Sequence, residues 1–225
     1  GLAASIIILI KGIIPAIIAG LNPLLVSILG SLVIMIIALY LAHGFNLKTS
    51  IALASTFITL CVSALLSIIF VDLTHLTGLG SEDVFYLQFG PFENLNLKGL
   101  LLGGIIIGAL GVLDDITTSQ TAAIQEIKKA NPRLTFKELY KSGLNVGREH
   151  IASLVNTLVL AYAGASLPLF LIFSTDSTLP LWLSINSEPI VEEIVRTLVG
   201  STALVFAVPI STFLAAYIFT KKAHA

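Results

Sequence analysis

The sequence contains few charged residues. Only 11% of its 225 residues are Asp, Glu, Lys or Arg, and the formal net charge is -1, whereas soluble domains usually carry about 25% charged residues. Together with 56% hydrophobic residues and a mean hydropathy of +0.99, this scarcity predicts an all-α, polytopic membrane protein whose main partner is the lipid bilayer. A nearly neutral chain also lacks the basic surface that binds nucleic acid, so we expect no nucleic-acid partner.

Cysteine and histidine are scarce as well. The single cysteine, Cys61, lies in an apolar run, which excludes a disulfide within the chain and a cysteine-based metal site. The four histidines are scattered and no HExxH motif is present, so we expect no metal and no cofactor. Asp114 and Asp115 are adjacent, and neighbouring residues of a helix diverge by about 100°. They cannot form an aspartyl catalytic dyad on their own, and we expect a protein that is not an enzyme.

Long apolar runs are abundant. A helix needs about 20 mostly apolar residues to cross about 30 Å of hydrocarbon, and this requirement predicts a single transmembrane domain with about six spans. The fourth span should continue past the membrane to about Ala130. Thr135 and Glu138 have capping-box spacing, which predicts a short amphipathic helix at residues 136–142, although a solvated connector fits that segment equally well. The six predicted spans are residues 2–21, 24–42, 49–71, 98–115, 150–173 and 190–220.

The basic residues predict how the chain is oriented. Half of them lie in residues 116–149, and two more are Lys221 and Lys222. Since basic residues in short loops stay in the cytoplasm, these regions should be cytoplasmic and the loops at 72–98 and 174–189 extracytoplasmic. Six spans then place both termini in the cytoplasm. The two sets of three spans would have opposite orientations, which is the arrangement of a 3+3 inverted repeat.

Polar residues at the cytoplasmic end of the fourth span form the main candidate site. A stripe of small residues that includes one carboxylate should pack against another helix. In one interpretation, Asp114 and Asp115 are interfacial carboxylates that are solvated or paired with downstream lysines. In the other, Asp115 faces the bundle interior with Thr118 and Ser119 and belongs to a cation or proton site. The stripe consists of Gly104, Gly108, Gly111, Asp115, Ser119 and Ala122.

The fifth span carries polar residues near its cytoplasmic end. Arg148 and His150 open the span, and each is expected either to reach the membrane interface or to join the polar site. Arg148 could also pair directly with Asp115. Asn156 lies deeper, where an amide needs a hydrogen-bonding partner. We expect that partner on a neighbouring helix, with contact to a ligand as the alternative, so Asn156 and Gln120 complete the candidate site.

The sixth span begins with a cluster of charges. Glu192 and Glu193 precede Arg196 by four and three residues, which is the spacing at which opposite charges meet on a helix surface. Pairing within the helix explains these charges without any further role. Small residues follow Arg196 along the same face of the span. Such faces favour close helix association, so we also expect that the chain forms a homo-oligomer through them.

Four segments of the sequence resemble the YibE/F-like family of bacterial multi-pass membrane proteins. The segments are NPLLVSILGSLVIMIIALYLAHGFNLKTSIAL, GALGVLDDITTSQTAAIQEI, NVGREHIASLVNTLVLAYAGASLPL and EEIVRTLVGSTALVFAVPISTFLAA. The resemblance implies a location in the bacterial plasma (inner) membrane and further sequence before Gly1. The family has no established biochemical activity, so the resemblance implies no particular activity for this chain. It directs attention to Asp114, Asp115, Gln120, Arg148, His150, Glu193 and Arg196.

Two functions fit these features best. A transporter or channel-like permease, with a polar site at the cytoplasmic end of the fourth span, agrees with small-residue stripes that carry carboxylates. A membrane anchor or assembly subunit of a larger complex is the alternative, and an intramembrane enzyme fits least well. Transport requires a water-accessible cavity at Asp115. An anchor requires polar stripes that are packed shut or used for subunit contacts.

Overall fold

The computed structural model describes residues 1–87, 95–175 and 180–222. Within these ranges the chain is helical and has no strand, which confirms the all-α architecture. The first helix includes one turn of π-helix at Leu9–Ile13. The helices are α1 Leu2–Ile18, α2 Pro23–His43, α3 Leu47–Leu73, α4 Glu82–Leu87, α5 Leu97–Ala130, α6 Phe136–Ala165, α7 Leu167–Thr175, α8 Leu181–Ile185 and α9 Glu188–Lys222.

Four of these helices, α2, α3, α5 and α9, are long and apolar enough to cross a membrane. The first predicted span corresponds to α1, which is apolar but shorter, and the fifth corresponds to α6 and α7. A total of six spans therefore stays a prediction. The predicted loops at 72–98 and 174–189 include residues 88–94 and 176–179, which lie outside the described residues.

Side chains just before the helices explain where the helices begin. Asn22, Asn46 and Asn96 accept hydrogen bonds from free backbone N–H groups in the first turns of α2, α3 and α5. Thr135 and Glu138 form the predicted capping box at the start of α6. Hydrogen bonds from the backbone and the hydroxyl of Thr135 hold the pKa of the Glu138 carboxyl below its usual value.

Helix α6 differs from its prediction. It runs without interruption from Phe136 to Ala165, so the separate helix at 136–142 and a new helix start at residue 150 are both wrong. Gly143 and Gly147 lie between these two segments, but a glycine weakens a helix by only about 1 kcal/mol. Both are buried against side chains of α5 and α9. Packing against these two helices keeps the segment in one helix.

The centre of the bundle consists of α3, α5 and α9, which pack against one another along their lengths. Helix α2 packs on α5, while α6 packs on α9 and, less extensively, on α5. Helix α1 packs against α2 rather than along α3, whereas α5 packs closely along α9. In a 3+3 inverted repeat, α1 would pack along α3 as α5 packs along α9, because the two pairs are equivalent. The packing therefore gives the predicted 3+3 repeat no support.

Candidate functional site

The eight residues predicted for one site lie on different faces of α5 and α6 and do not come together. Gln120 is fully buried. Asp114, Thr118 and His150 are half-buried, while four others are exposed on the surface of the bundle. The exposed residues are Asp115, Ser119, Arg148 and Asn156.

Asp115 does not face the bundle interior, and that prediction is wrong. Its side chain is exposed, and so is Ser119 one turn later, which donates its hydroxyl to the Asp115 carbonyl oxygen at 2.8 Å. Across residues 1–87, 95–175 and 180–222, the ion pairs are Asp72–Lys98, Glu126–Lys129 and Glu193–Arg196. The pair expected between Asp115 and Arg148 is therefore not formed. Asn156 is exposed as well, contrary to its predicted role between helices.

The predicted packing stripe on α5 is also wrong. Gly104, Gly108 and Gly111 are exposed, and a Cβ atom at Gly104 or Gly111 would have no atom within 4 Å beyond the backbone of its own helix. At Gly108 it would lie 3.2 Å from the hydroxyl oxygen of Tyr162. Helix α5 instead packs through a face of larger side chains, because these fill more of the core and remove more apolar area from water or lipid contact. That face includes Ile105, Ile106, Ala109, Leu113, Ile116, Thr117 and Gln120.

Asp114, rather than its neighbour, is the carboxylate that turns towards other helices. It lines a crevice of about 250 Å³ whose walls include Leu9 of α1 and Met35 of α2. Its Oδ1 atom is buried and has no hydrogen-bond partner within the described residues. The titratable groups that interact with it are His43, at the end of α2, and Asp115. Asp114 is thus separated from the exposed part of the predicted site.

Gln120 lies at the junction of three helices. Its Nε2 atom donates to the Gly143 carbonyl oxygen of α6 at 2.7 Å and to the Thr212 hydroxyl of α9 at 2.8 Å. An amide that bonds two neighbouring helices inside an apolar bundle fixes their relative position. Gln120 therefore has a structural role between α5, α6 and α9.

A row of buried hydroxyl groups on α3 was missed by the sequence analysis. Most of these groups donate to the carbonyl oxygen four residues earlier, which satisfies the hydroxyl within its own helix. Thr56 also contacts Thr117 of α5, with 2.6 Å between the two hydroxyl oxygens. The spacing of these serine and threonine residues along one face of α3 could have revealed the row in the sequence. The row consists of Ser55, Thr56, Thr59, Ser63 and Ser67.

A larger cleft lies at the Leu97 end of α5, which is the predicted extracytoplasmic end. We call it the α5–α9 cleft. Its volume is about 1000 Å³, which is at the upper end of the range of about 300–1,000 Å³ for small-molecule sites. One wall is α5 with Gly104, and the opposite walls come from α7, α9 and the segment before α5. The lining residues fall within 78–85, 97–104, 165–172 and 189–196.

Four charged residues line the α5–α9 cleft in the part of the chain that the structure describes. Arg196 and Glu193 form the predicted pair, with 3.5 Å between Nε and Oε1, and about a quarter of each side chain is exposed. Glu192 does not pair with Arg196 as the spacing suggested. It is 9% exposed, and its Oε1 accepts the backbone N–H of Gly80 at 3.1 Å. Asp83 is the fourth charged residue. Within the described residues, no group of three or more His, Cys, Asp or Glu is arranged to hold a metal ion.

Residues 77–80, which we call the strap, are tied to the first turn of α9. The Oε1 atom of Glu188 accepts the backbone N–H groups of Thr77, Gly78 and Leu79 at 2.7, 2.8 and 3.2 Å. Gly78 has a φ of 87°, and a Cβ there would lie 2.5 Å from the Leu97 carbonyl oxygen, so this position requires glycine. Glu188 and Glu192 thus hold one wall of the cleft in place.

Comparison with known proteins agrees with the helical membrane architecture. No curated protein and no solved structure matches the chain. A family model described as YibE/F-like protein matches residues 1–221, which is nearly the whole sequence and includes every helix of the bundle centre. The chain therefore belongs to the YibE/F-like family.

Proposed function

We propose that this protein is a permease that moves a small charged solute across the membrane, and that the solute enters through the α5–α9 cleft. The observation that carries the proposal is the position of Glu192, Glu193 and Arg196, which line a cleft of about 1000 Å³ among apolar helices. Charged side chains are costly in spanning helices and commonly mark the path of a solute. This proposal moves the solute site from Asp115 to the opposite end of the bundle.

Helix α6 supports the proposal because its two ends pack differently. Near Gly143 and Gly147, an added Cβ would overlap side chains of α5 and α9. At Gly164, and at Gly104 of α5, which lines the cleft, an added Cβ would meet nothing within 4 Å beyond the backbone of its own helix. Transporters commonly open and close a site by moving one group of helices against another. The tightly packed end of α6 would then act as the pivot, and its other end would open and close the cleft.

An assembly subunit is the second candidate, and a separate observation favours it. The exposed glycines Gly104 and Gly111 leave room for a helix of another chain to approach α5 closely. A homo-oligomer formed through this face would cover the cleft. Solute uptake through the cleft would therefore support the permease, and a contact between chains at this face would support the assembly subunit.

The permease proposal can be tested with the full chain reconstituted into liposomes. Uptake of labelled amines, amino acids, carboxylates and inorganic ions is measured for the wild type, Arg196→Gln and Arg133→Gln. Arg133 is exposed beyond the Ala130 end of α5, so its substitution is a matched control for the loss of one guanidinium.

We expect uptake of at least one solute class. Arg196→Gln should change it about tenfold, which corresponds to about 1.4 kcal/mol, because it removes the cationic side chain that lines the cleft: uptake should fall for an anionic solute and rise for a cationic one. Arg133→Gln should leave uptake unchanged. If folded wild-type protein takes up no solute above the level of empty liposomes, the permease proposal is wrong. The assembly subunit would then be the remaining candidate.

A further inference from the structure

The charges that line the α5–α9 cleft do not balance. Three carboxylates, those of Asp83, Glu192 and Glu193, lie in its wall with one guanidinium, that of Arg196. The Glu193 carboxylate forms an ion pair with Arg196. Asp83 and Glu192 have no ion-pair partner within the described residues. Among the described residues that line it, the cleft therefore has an excess of two carboxylates.

Glu192 is the more informative of these two carboxylates because it is buried. Only 9% of the residue is exposed, and the hydrogen bond from Gly80 occupies one of its two oxygens. A buried carboxylate usually has a cationic partner or binds a metal ion, since removing its charge from water is costly. No metal-binding group of three side chains surrounds it within the described residues. An organic cation would supply the missing charge.

The remaining wall of the cleft favours an apolar molecule. Leu100 and Leu101 of α5 and Leu169 of α7 line the cleft, and Phe85 lines it as well. Apolar walls stabilise a bound apolar group by about 25 cal/mol for each Å² removed from water. Aromatic rings attract ammonium groups. A volume of about 1000 Å³ also exceeds what one inorganic ion would fill.

We propose that the α5–α9 cleft binds an organic cation, with its ammonium group near Glu192 and Asp83 and its apolar part against Leu100 and Leu169. This inference rests on the proposed permease function, because it names the class of solute. The ion pair of Glu193 and Arg196 remains intact in this arrangement. The excess carboxylates would also raise the local concentration of cations at the mouth of the cleft.

Binding is tested with the full chain in nanodiscs of zwitterionic lipid by isothermal titration calorimetry. The probes are benzyltriethylammonium as the cation, benzenesulfonate as the anion and benzyl alcohol as the neutral compound. We expect the cation to bind at least tenfold more tightly than the other two. Glu192→Gln removes the charge but keeps an oxygen that can accept the Gly80 N–H, and it should weaken cation binding five- to tenfold. Glu126→Gln is the matched control at the other end of α5 and should have no effect.

Asp83→Asn provides a second variant, because Asp83 is exposed and its replacement is compatible with the fold. It should weaken cation binding two- to threefold. Equal binding of cation and anion, or cation binding that is unchanged in both cleft variants, would overturn the assignment. Cation binding without any uptake would leave the site intact and refute only the permease. Uptake of anions alone would support the permease and refute the cation site.

Discussion

At the scale of single residues, glycines have two different roles in this bundle. Gly143 and Gly147 of α6 allow close approach, because their missing side chains leave room for Ile124, Val208 and Gln120. Gly111 of α5 lies in open space instead. The same residue type therefore marks close contact on one helix and an exposed face on another.

This difference predicts opposite results for two alanine substitutions. In Gly147→Ala, the new Cβ would overlap a methyl group of Val208, so we expect the free energy of unfolding to fall by about 1–3 kcal/mol. In Gly111→Ala, the Cβ meets no atom within 4 Å, and alanine favours a helix over glycine by about 1 kcal/mol. The two variants are compared by reversible denaturation in mixed micelles. Equal stability of the two would contradict the packing described for α6.

The residues that the sequence predicted correctly interact with near neighbours in the chain. Thr135 with Glu138, and Glu193 with Arg196, are three residues apart, so helical geometry alone brings each pair together. Of the two interpretations of Asp115, the interior one is wrong. The sequence left both open because the face that a helix buries depends on all of its neighbours. Asp114 is only about 100° away on the same helix, and the positions of α1 and α2 decide which of the two is covered.

At the scale of secondary-structure elements, helix ends were more predictable than helix contacts. The end of α5 at Ala130 agrees with the prediction, and capping residues explain the starts of several helices. The strap could not be predicted, because Gly80 and Glu192 are separated by more than 100 residues. No local sequence pattern predicts such a contact. The uninterrupted length of α6 likewise depends on its packing against α5 and α9.

The strap provides a prediction for Glu188. Its carboxylate accepts three backbone N–H groups, and a charged acceptor forms stronger hydrogen bonds than a neutral amide. In Glu188→Gln we expect amide hydrogen exchange at Gly78 and Leu79 to become about five times faster, which corresponds to about 1 kcal/mol. The measurement is hydrogen exchange followed by mass spectrometry. Glu149→Gln, an exposed position on α6, is the control, and equal exchange in all three proteins would contradict the role of Glu188.

At the scale of the whole molecule, the bundle has a closely packed centre and one open end. Helices α3, α5 and α9 form the centre, and the α5–α9 cleft lies at the Leu97 end of α5. The charge distribution of the sequence predicts that this end is extracytoplasmic. The central claim is that the face of α5 at Gly104, which we call the glycine face, borders a water-filled entrance. A packing surface for another helix would give the same sequence pattern but a dry environment.

Cysteine accessibility tests this claim most directly. Cys61 is the only cysteine in the sequence, so Cys61→Ala provides a background without thiols. Gly104→Cys, Asp83→Cys, Leu29→Cys and Lys129→Cys are then introduced singly. Each protein is treated with a membrane-impermeant maleimide in sealed, right-side-out vesicles. Leu29 is exposed on the apolar surface of α2 and serves as the control for lipid contact.

We predict that Gly104→Cys and Asp83→Cys react from outside, that Leu29→Cys does not react, and that Lys129→Cys reacts only after the vesicles are opened. Labelling of Asp83→Cys with no labelling of Gly104→Cys would contradict the water-filled entrance. It would show that the glycine face contacts lipid or another helix.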